Sequence, residues 1–377
     1  MVTMIKTRRL GATGPEVSEI GLGAMGMSGM YGPADRAESI ATVHAALDAG
    51  INLIDTGDFY GMGHNELLIR DALADRNRDD VVISVKFGAQ RDPSGAWLGY
   101  DASPAAVKTA VAYSLVRLGT DHIDIYRPAR LDANVPIEET VGAIAELVDA
   151  GSVRHVGLSE VGADTIRRAH ATHPIADLQI EYSLISRGIE AEILPTSREL
   201  GIGITAYGVL SRGLISGHWS RERSAGAGDS RSRAPRFAAE NLDRNLALVE
   251  SLREIADAKG VSVAQIAIAW VRSRGDDIVP LIGARTRERL HEALGALEVE
   301  LSAEELERIE RAIPPDAAAG TRYDALRMIG LERWERRGPG PGLADPVDET
   351  APEGDGPPVV ERLAVVRQGD REEAADF

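Results

Sequence analysis

The chain has no cysteine. Disulfides, thiolate nucleophiles and cysteine-held metals are therefore excluded. Aromatic residues make up only 4% of the sequence, so the interior must be built mainly from Ala, Val, Ile and Leu. Positive charge is in the minority: 42 Lys and Arg stand against 59 Asp and Glu, a formal net charge of −17. That balance argues against general affinity for nucleic acid or anionic membranes, while a local cationic pocket for a small phosphate ligand stays compatible with it. No apolar run reaches the ~18 residues of a membrane-spanning helix. The start, MVTMIKTRRLG, is basic but has neither an apolar core nor a small-residue cleavage site, so no secretory signal is predicted. The expectation is a cytoplasmic protein. What is present is 44% hydrophobic and 27% charged residues over 377 positions, enough for a substantial core and unlike a fibrous or wholly disordered chain.

Short apolar runs recur at Ile20–Leu22, Ile51–Ile54, Val81–Val85, Ile123–Tyr126, His155–Leu158, Leu178–Ile180, Ile202–Ala206 and Ile278–Ile282. Between them lie amphipathic stretches of helical length: Arg36–Ala49, Asn65–Asp75, Ser103–Leu118, Ile137–Ala150, Ala163–His170, Glu190–Leu200 and Val263–Arg274. Continuous apolar strands separated by helices predict a parallel sheet covered by helices. Eight such units in one unbroken series predict a closed (β/α)8 barrel over an open doubly wound sheet. Arg8–Gly11 and Glu16–Ser18 flank a Gly/Pro turn and predict a hairpin plugging the barrel floor. Ser216–Asn241, rich in Gly, Ser and Arg, reads as a long mobile loop, followed by a helix at Leu242–Ala258. From Leu331 to Phe377 there are twelve acidic and six basic residues, with dense Pro and Gly. The division expected is a barrel over 1–325 and an acidic, disordered tail over 326–377, with a flap over the barrel mouth from Gly320–Met328 left open.

Barrel active sites sit at the carboxyl ends of the strands. There the second strand runs into Asp55-Thr56-Gly57-Asp58-Phe59-Tyr60-Gly61 and the third ends at Val85-Lys86-Phe87, so Asp55, Tyr60 and Lys86 are candidates to meet. An ammonium beside a phenol is expected to lower the Tyr pKa from ~10, making Tyr60 a proton donor to a developing alkoxide. Spacing alone favours the plainer reading, a surface ion pair with an ordinary tyrosine nearby. Gly21 to Gly26 matches the dinucleotide pattern G-x-G-x-x-G. The helix that pattern requires does not follow, so the glycines read as a tight exit from the strand. Met27, Tyr31, Phe59 and Trp97 are candidates to line a pocket. His64 reads as a helix-start residue, and no histidines show metal-ligand spacing.

The segments INLIDTGDFYG and VVISVKF, followed in order by LGTDHIDIY, GLSE, QIEYSL, TAYGVLSRGL and PLIGARTRERL, resemble the aldo-keto reductase superfamily. The resemblance covers most of residues 7–325. The YGPAD segment after the first strand is similar to the pyridoxal-reductase-like and auxin-induced-like branch. It implies hydride transfer between NADPH and a small aldehyde or ketone without a metal, with Tyr60 as general acid, Lys86 as its partner and Asp55 as charge support. It further implies a nicotinamide held near Ser159 and Gln179 with Tyr207 stacked on the ring, and a pyrophosphate near Leu210, Ser211 and Arg212. Gly283, Arg285, Thr286 and Arg289 would lie at the adenosine end, where paired guanidinium groups favour NADP over NAD.

One position departs from the pattern. The family normally carries a His at the end of the fourth strand, but here the segment reads Tyr126-Arg127-Pro128-Ala129-Arg130-Leu131-Asp132. A methyl group donates no hydrogen bond, and losing such a donor costs on the order of 10²–10³ in rate. Arg127 shares the face of Ala129 and is the candidate for supplying charge to the oxyanion, the alternatives being that water fills the space or that Arg127 pairs with a barrel carboxylate. The vacancy also keeps open an NADPH-binding barrel with weak or no catalysis, serving in regulation or sensing.

Overall fold

The structure is a computed structural model that describes residues 5–223, 225–226, 229–324, 328 and 331. Eight parallel strands close into a barrel: β3 (Gly21–Gly23), β4 (Leu53–Gly57), β5 (Val82–Phe87), β8 (Ile123–Pro128), β9 (Val153–Ser159), β10 (Ile175–Glu181), β11 (Gly203–Tyr207) and β12 (Ile278–Ile282), with β12 pairing back onto β3. Every residue of β4, β5, β10 and β12 is buried. Both faces of these strands are covered, so their apolar residues do not simply alternate with exposed polar ones, and the polar residues they carry, such as Asp55, Lys86 and Asp177, are buried with them.

The covering helices begin where the sequence supplies caps. The Asp35 carboxylate accepts the Glu38 N–H ahead of α1 (Arg36–Asp48). Gly63 launches α2 (His64–Leu73) from a left-handed turn. Ser103 and Pro104 open α3 (Pro104–Leu118), and α4 (Ile137–Asp149), α5 (Ala163–Thr172) and α6 (Ile193–Glu199) follow. After the α7 helix (Ala239–Lys259), a reciprocal Ser262–Gln265 box starts α8 (Val263–Arg272). The α9 helix (Arg287–Leu294) is capped by Thr286, and α10 (Ala303–Ala312) by a Ser302–Glu305 box. The expected floor hairpin is present as β1 (Thr7–Arg9) paired with β2 (Glu16–Ser18). Leu10 and Val17 pack with Leu53, Val82, Ile125, Val279 and Leu281 in a small core at the base of the barrel.

Three readings of the sequence change. A hairpin of β6 (Ala89–Arg91) and β7 (Trp97–Tyr100) stands outside the barrel between β5 and α3. Trp97, expected in a pocket, belongs to this hairpin and is 43% exposed. The segment after β11 forms short 3-10 turns at Ser211–Ser216, Ser230–Arg233 and Pro235–Phe237, and α7 begins at Ala239, three residues before the predicted start. Its described part is anchored, with Arg236 donating to the Ile185 carbonyl at 2.7 Å and to the Ser186 hydroxyl at 2.8 Å. Of the tail expected over 326–377, all but Met328 and Leu331 lies outside the described residues. Among the described residues no helix is long and apolar enough to cross a membrane, and no cluster of His, Asp and Glu is arranged to hold a metal ion.

Candidate active site

The barrel brings Asp55, Lys86 and Tyr60 together at its carboxyl end. Gly57 and Lys86 are register partners on β4 and β5, and the Lys86 ammonium donates to Asp55 Oδ2 at 2.6 Å. Asp55 Oδ1 accepts from Gln179 Nε2 at 2.7 Å and from the Ser84 hydroxyl at 3.1 Å, so the carboxylate is fixed on both oxygens. Lys86 Nζ lies 5.0 Å from the centroid of the Tyr60 ring, within the range of a cation–π contact. Phe59 meets Tyr60 edge to face. The Tyr60 hydroxyl has no hydrogen-bond partner among the described residues, although the residue is only 5% exposed.

The electrostatics correct one expectation. Tyr60 is pushed well above the ordinary phenol value, first by burial and then by the charge of Asp55, with Arg130 pulling the other way. Lys86 is lowered by burial, against the support of Asp55. Removing a phenol from water disfavours its anion more than the nearby cations favour it. Tyr60 therefore keeps its proton throughout the neutral range.

Arg127 lies beneath this group, fully buried. Its Nη1 is 3.0 Å from Asp177 Oδ2 and donates to the Thr205 hydroxyl at 3.1 Å, while Nη2 donates to the Ser84 hydroxyl at 2.7 Å. Thr205 in turn donates to Asp177 at 2.7 Å. The guanidinium sought as an oxyanion donor is thus bound to a barrel carboxylate and reaches Asp55 only through Ser84. Gly157 makes this possible: a Cβ there would stand 2.6 Å from Asp177 Oδ1 and 3.2 Å from Arg127 Nε.

Ala129 is buried just past the end of β8, its N–H donating to the Phe87 carbonyl at 2.8 Å. The mouth above it is roofed by residues that the sequence reading did not single out. Arg322 is buried and donates to Glu160 Oε1 at 3.0 Å, to Glu181 Oε2 at 3.3 Å and to the Tyr207 hydroxyl at 3.4 Å, with a second contact to Glu160 from Nη2. The Arg322 cation holds Glu160 at about 2, below the usual carboxylate range despite burial. Glu160 adopts a left-handed φ of 57°, a strained conformation for a side chain with a Cβ. Tyr323 shares a hydrogen bond of 3.0 Å with the Tyr207 hydroxyl and lies under the Arg212 guanidinium at 4.4 Å. The stretch from Gly320 expected to lie near the mouth therefore does reach it, at least through Tyr323.

The remaining candidates line the same rim. Ser159 ends β9 opposite Gln179 of β10, and its buried hydroxyl has no hydrogen-bond partner among the described residues. Leu210 precedes the turn Ser211–Ser216, whose residues Ser211 and Arg212 both have left-handed φ. Gly283 follows β12, and a Cβ there would meet open space. Arg285 donates to the carbonyls of Tyr31 at 3.0 Å and Pro33 at 3.1 Å; burial and the neighbouring Arg231 and Arg223 lower its pKa, with Asp229 opposing. Thr286 is engaged as the α9 cap, and Arg289 turns to Glu292 at 3.0 Å and His218 at 2.6 Å. The two arginines expected as a pair thus face different neighbours. His64 starts α2 and meets the Ser28 hydroxyl at 2.9 Å. The motif at Gly21–Gly26 leads into a 3-10 turn over Met25–Ser28 and not into an α-helix.

A parallel eight-stranded barrel with a lysine–carboxylate pair and a buried tyrosine at its carboxyl end defines a class of barrel enzymes with their chemistry at the strand ends. The sequence profile of the aldo/keto reductase family matches residues 19–314, and the chain belongs to that family. It is 42% identical over 321 residues to a probable aldo-keto reductase of Glycine max, covering 85% of this chain and 92% of that protein. Among solved structures it resembles a glycerol dehydrogenase of Gluconobacter oxydans, with a TM-score of 0.74, 29% identity and coverage of 81% and 94% of the two chains. It also resembles an aldo-keto reductase of Bacillus halodurans in its holo form, with a TM-score of 0.68, 28% identity and coverage of 86% and 99%. Family and fold together support an oxidoreductase, in a family that uses nicotinamide cofactors on small carbonyl substrates.

Proposed function

We propose that the protein reduces small aldehydes or ketones with NADPH, Tyr60 being the proton donor. One observation carries the reading: the Tyr60 hydroxyl is buried, protonated and without a partner among the described residues, beside an ammonium that Asp55 fixes at 2.6 Å. A proton donor must be loaded and free to meet the substrate oxygen, and both conditions hold here.

The residues fit the cofactor. The unpartnered Ser159 hydroxyl and the carbonyl oxygen of the Gln179 amide suit a nicotinamide carboxamide. Open space at Gly283 and the cationic group around Arg285 suit the phosphate end. Arg285 gives NADP the advantage over NAD through a charge-assisted contact to the extra phosphate. NADPH when bound supplies the hydride for the carbonyl carbon. Tyr60 gives its proton to the carbonyl oxygen as charge builds there, and the Lys86 ammonium stabilises the phenolate left behind. Asp55 holds Lys86 in place. Burial of the group excludes water from the transfer.

NADPH consumption over a panel of aldehydes tests the reading. Tyr60→Phe is expected to lower kcat by on the order of 10²–10⁴ and to leave NADPH binding, followed by nicotinamide fluorescence, within twofold of the parent. Equal rates in parent and variant would overturn it. The absence of a donor side chain at Ala129 favours a second reading, a barrel that binds NADPH and turns it over little; tight NADPH binding with no turnover on any carbonyl would select that reading.

A further inference from the structure

Ala129 leaves β8 without a side-chain donor on the carbonyl side of the site, and the next residue carries one. The Arg130 side chain curls back over position 129: Nη1 donates to the Ala129 carbonyl at 2.6 Å and Nη2 to the Tyr323 hydroxyl at 3.3 Å. Tyr323 is joined to Tyr207 at the end of β11, so the guanidinium spans the barrel mouth. Register pairing sets Arg127 beside Lys86 and Pro128 beside Phe87. The residues after Pro128 therefore rise next to the strand that carries Lys86.

Arg130 has no carboxylate within ion-pair distance among the described residues. The acid whose charge reaches it, Glu160, is taken by Arg322. A guanidinium offers five donors, two of which are used here on neutral acceptors. Of the groups that act on Tyr60 (Asp55, Tyr31, Arg130 and Tyr323, with Lys86 over the ring), Arg130 draws the phenol toward ionisation, and it lowers Lys86 as well. A half-buried cation with no carboxylate partner among the described residues, whose charge acts on the proton donor, is stabilised most by a negative charge arising near it.

We propose that Arg130 is a catalytic residue, its guanidinium donating to the substrate carbonyl oxygen as that oxygen gains charge, in place of the donor that Ala129 does not supply. This rests on the carbonyl-reductase reading, because only that reaction places an oxyanion there. The balance is complete with NADPH as reductant. The reductant's C–H bond breaks as a new C–H bond forms at the carbonyl carbon, the C=O π pair moves onto oxygen, the Tyr60 O–H bond breaks to protonate that oxygen, and NADP⁺ and a phenolate that solvent reprotonates are left. Arg130 exchanges no proton, since a guanidinium stays charged throughout.

The test uses the full chain with Arg130→Gln and Arg130→Lys, a neutral aliphatic aldehyde and an aldehyde bearing a carboxylate. Arg130→Gln is expected to lower kcat/KM by 10²–10³ on both substrates, with the NADPH Kd within twofold of the parent. Arg130→Lys is expected to recover part of the loss. Without any turnover, the Tyr60 phenolate, read by near-ultraviolet difference against Tyr60→Phe, is expected to titrate at higher pH in Arg130→Gln than in the parent. Should Arg130→Gln not fold, Arg130→Lys carries the test with a fall of at least about tenfold. Parent rates in either variant overturn the proposal. A loss confined to the carboxylate-bearing aldehyde also overturns it, making Arg130 a binder of a substrate anion. An active parent with an unaffected variant refutes this inference alone; a parent inactive on every carbonyl refutes the reductase reading and this inference with it.

Discussion

Replacing Arg127 separates a structural charge from a chemical one. The guanidinium and Asp177 are both fully buried, 3.0 Å apart. At an effective dielectric of ~20, two charges at that distance attract by about 5 kcal/mol. Arg127→Met would leave Asp177 buried without its cation, its pKa already raised by burial first and to a lesser degree by the like charge of Asp55. Breaking one partner of such a pair costs about 3–5 kcal/mol. The loss depends on pH: an acid whose folded pKa is raised gives stability that is present below its unfolded value and disappears as pH rises through the folded one. Urea unfolding of Arg127→Met should therefore show a larger deficit at pH 8 than at pH 5. Adding Asp177→Asn removes the orphaned charge and keeps an acceptor for Thr205, so the double variant should recover most of the loss at pH 8. Its kcat should stay within about tenfold of the parent, because Asp55 keeps Lys86, Gln179 and Ser84. Equal destabilisation of the single and double variants would refute the electrostatic argument. A stable double variant with a hundredfold lower kcat would refute the structural assignment and return Arg127 to the chemistry.

Gly157→Ala should cost about 1–3 kcal/mol by urea unfolding, since its Cβ would stand 2.6 Å from Asp177 Oδ1; an unchanged midpoint would show that the pair has room to spare. Asp58 is raised to about 7, by burial first and then by the charge of Glu66. The stability it contributes is present below its unfolded value and is lost as pH rises through about 7. Asp58→Asn should thus be more stable than the parent at pH 8 by up to about 4 kcal/mol, with the difference closing below pH 5; a constant difference across that range would refute the account. Arg322→Met leaves Glu160 and Glu181 buried together and should cost about 3–5 kcal/mol near neutrality. Much of that should return in acid as the carboxyls take up protons, measured by thermal unfolding at both pH values.

The barrel was legible because each of its strands is an apolar run bounded by polar helix starts, and every one of the eight runs overlaps an observed strand. The β6–β7 hairpin was not, since AQRDPSGAWLGY pairs three and four residues around a turn and buries little. Asp55, Lys86 and Tyr60 could be placed from strand ends alone. The direction of the Tyr60 shift could not, because the order of the chain names the neighbouring charges but not how completely water is removed. The same limit explains Arg127: alternation put it on the inner face, and only the register of β8, β9 and β10 brings Asp177 to it past Gly157. The Glu160–Arg322 pair joins residues 162 positions apart. The Ala-, Pro- and Gly-containing stretch after α10 could be placed near the mouth from Gly320 onward, but nothing in it named Glu160 as the partner of Arg322.

The roof at Arg322 ties the order of synthesis to the completeness of the catalytic chamber. All eight strands leave the ribosome before residue 322 does, and until then Glu160 lacks its buried cation and Glu181 has only Arg236. A nascent chain can thus assemble its floor and walls early yet acquires a settled upper chamber only once residue 322 has followed them. Loss of the segment that carries Arg322 would return a finished molecule to that earlier, charge-frustrated condition.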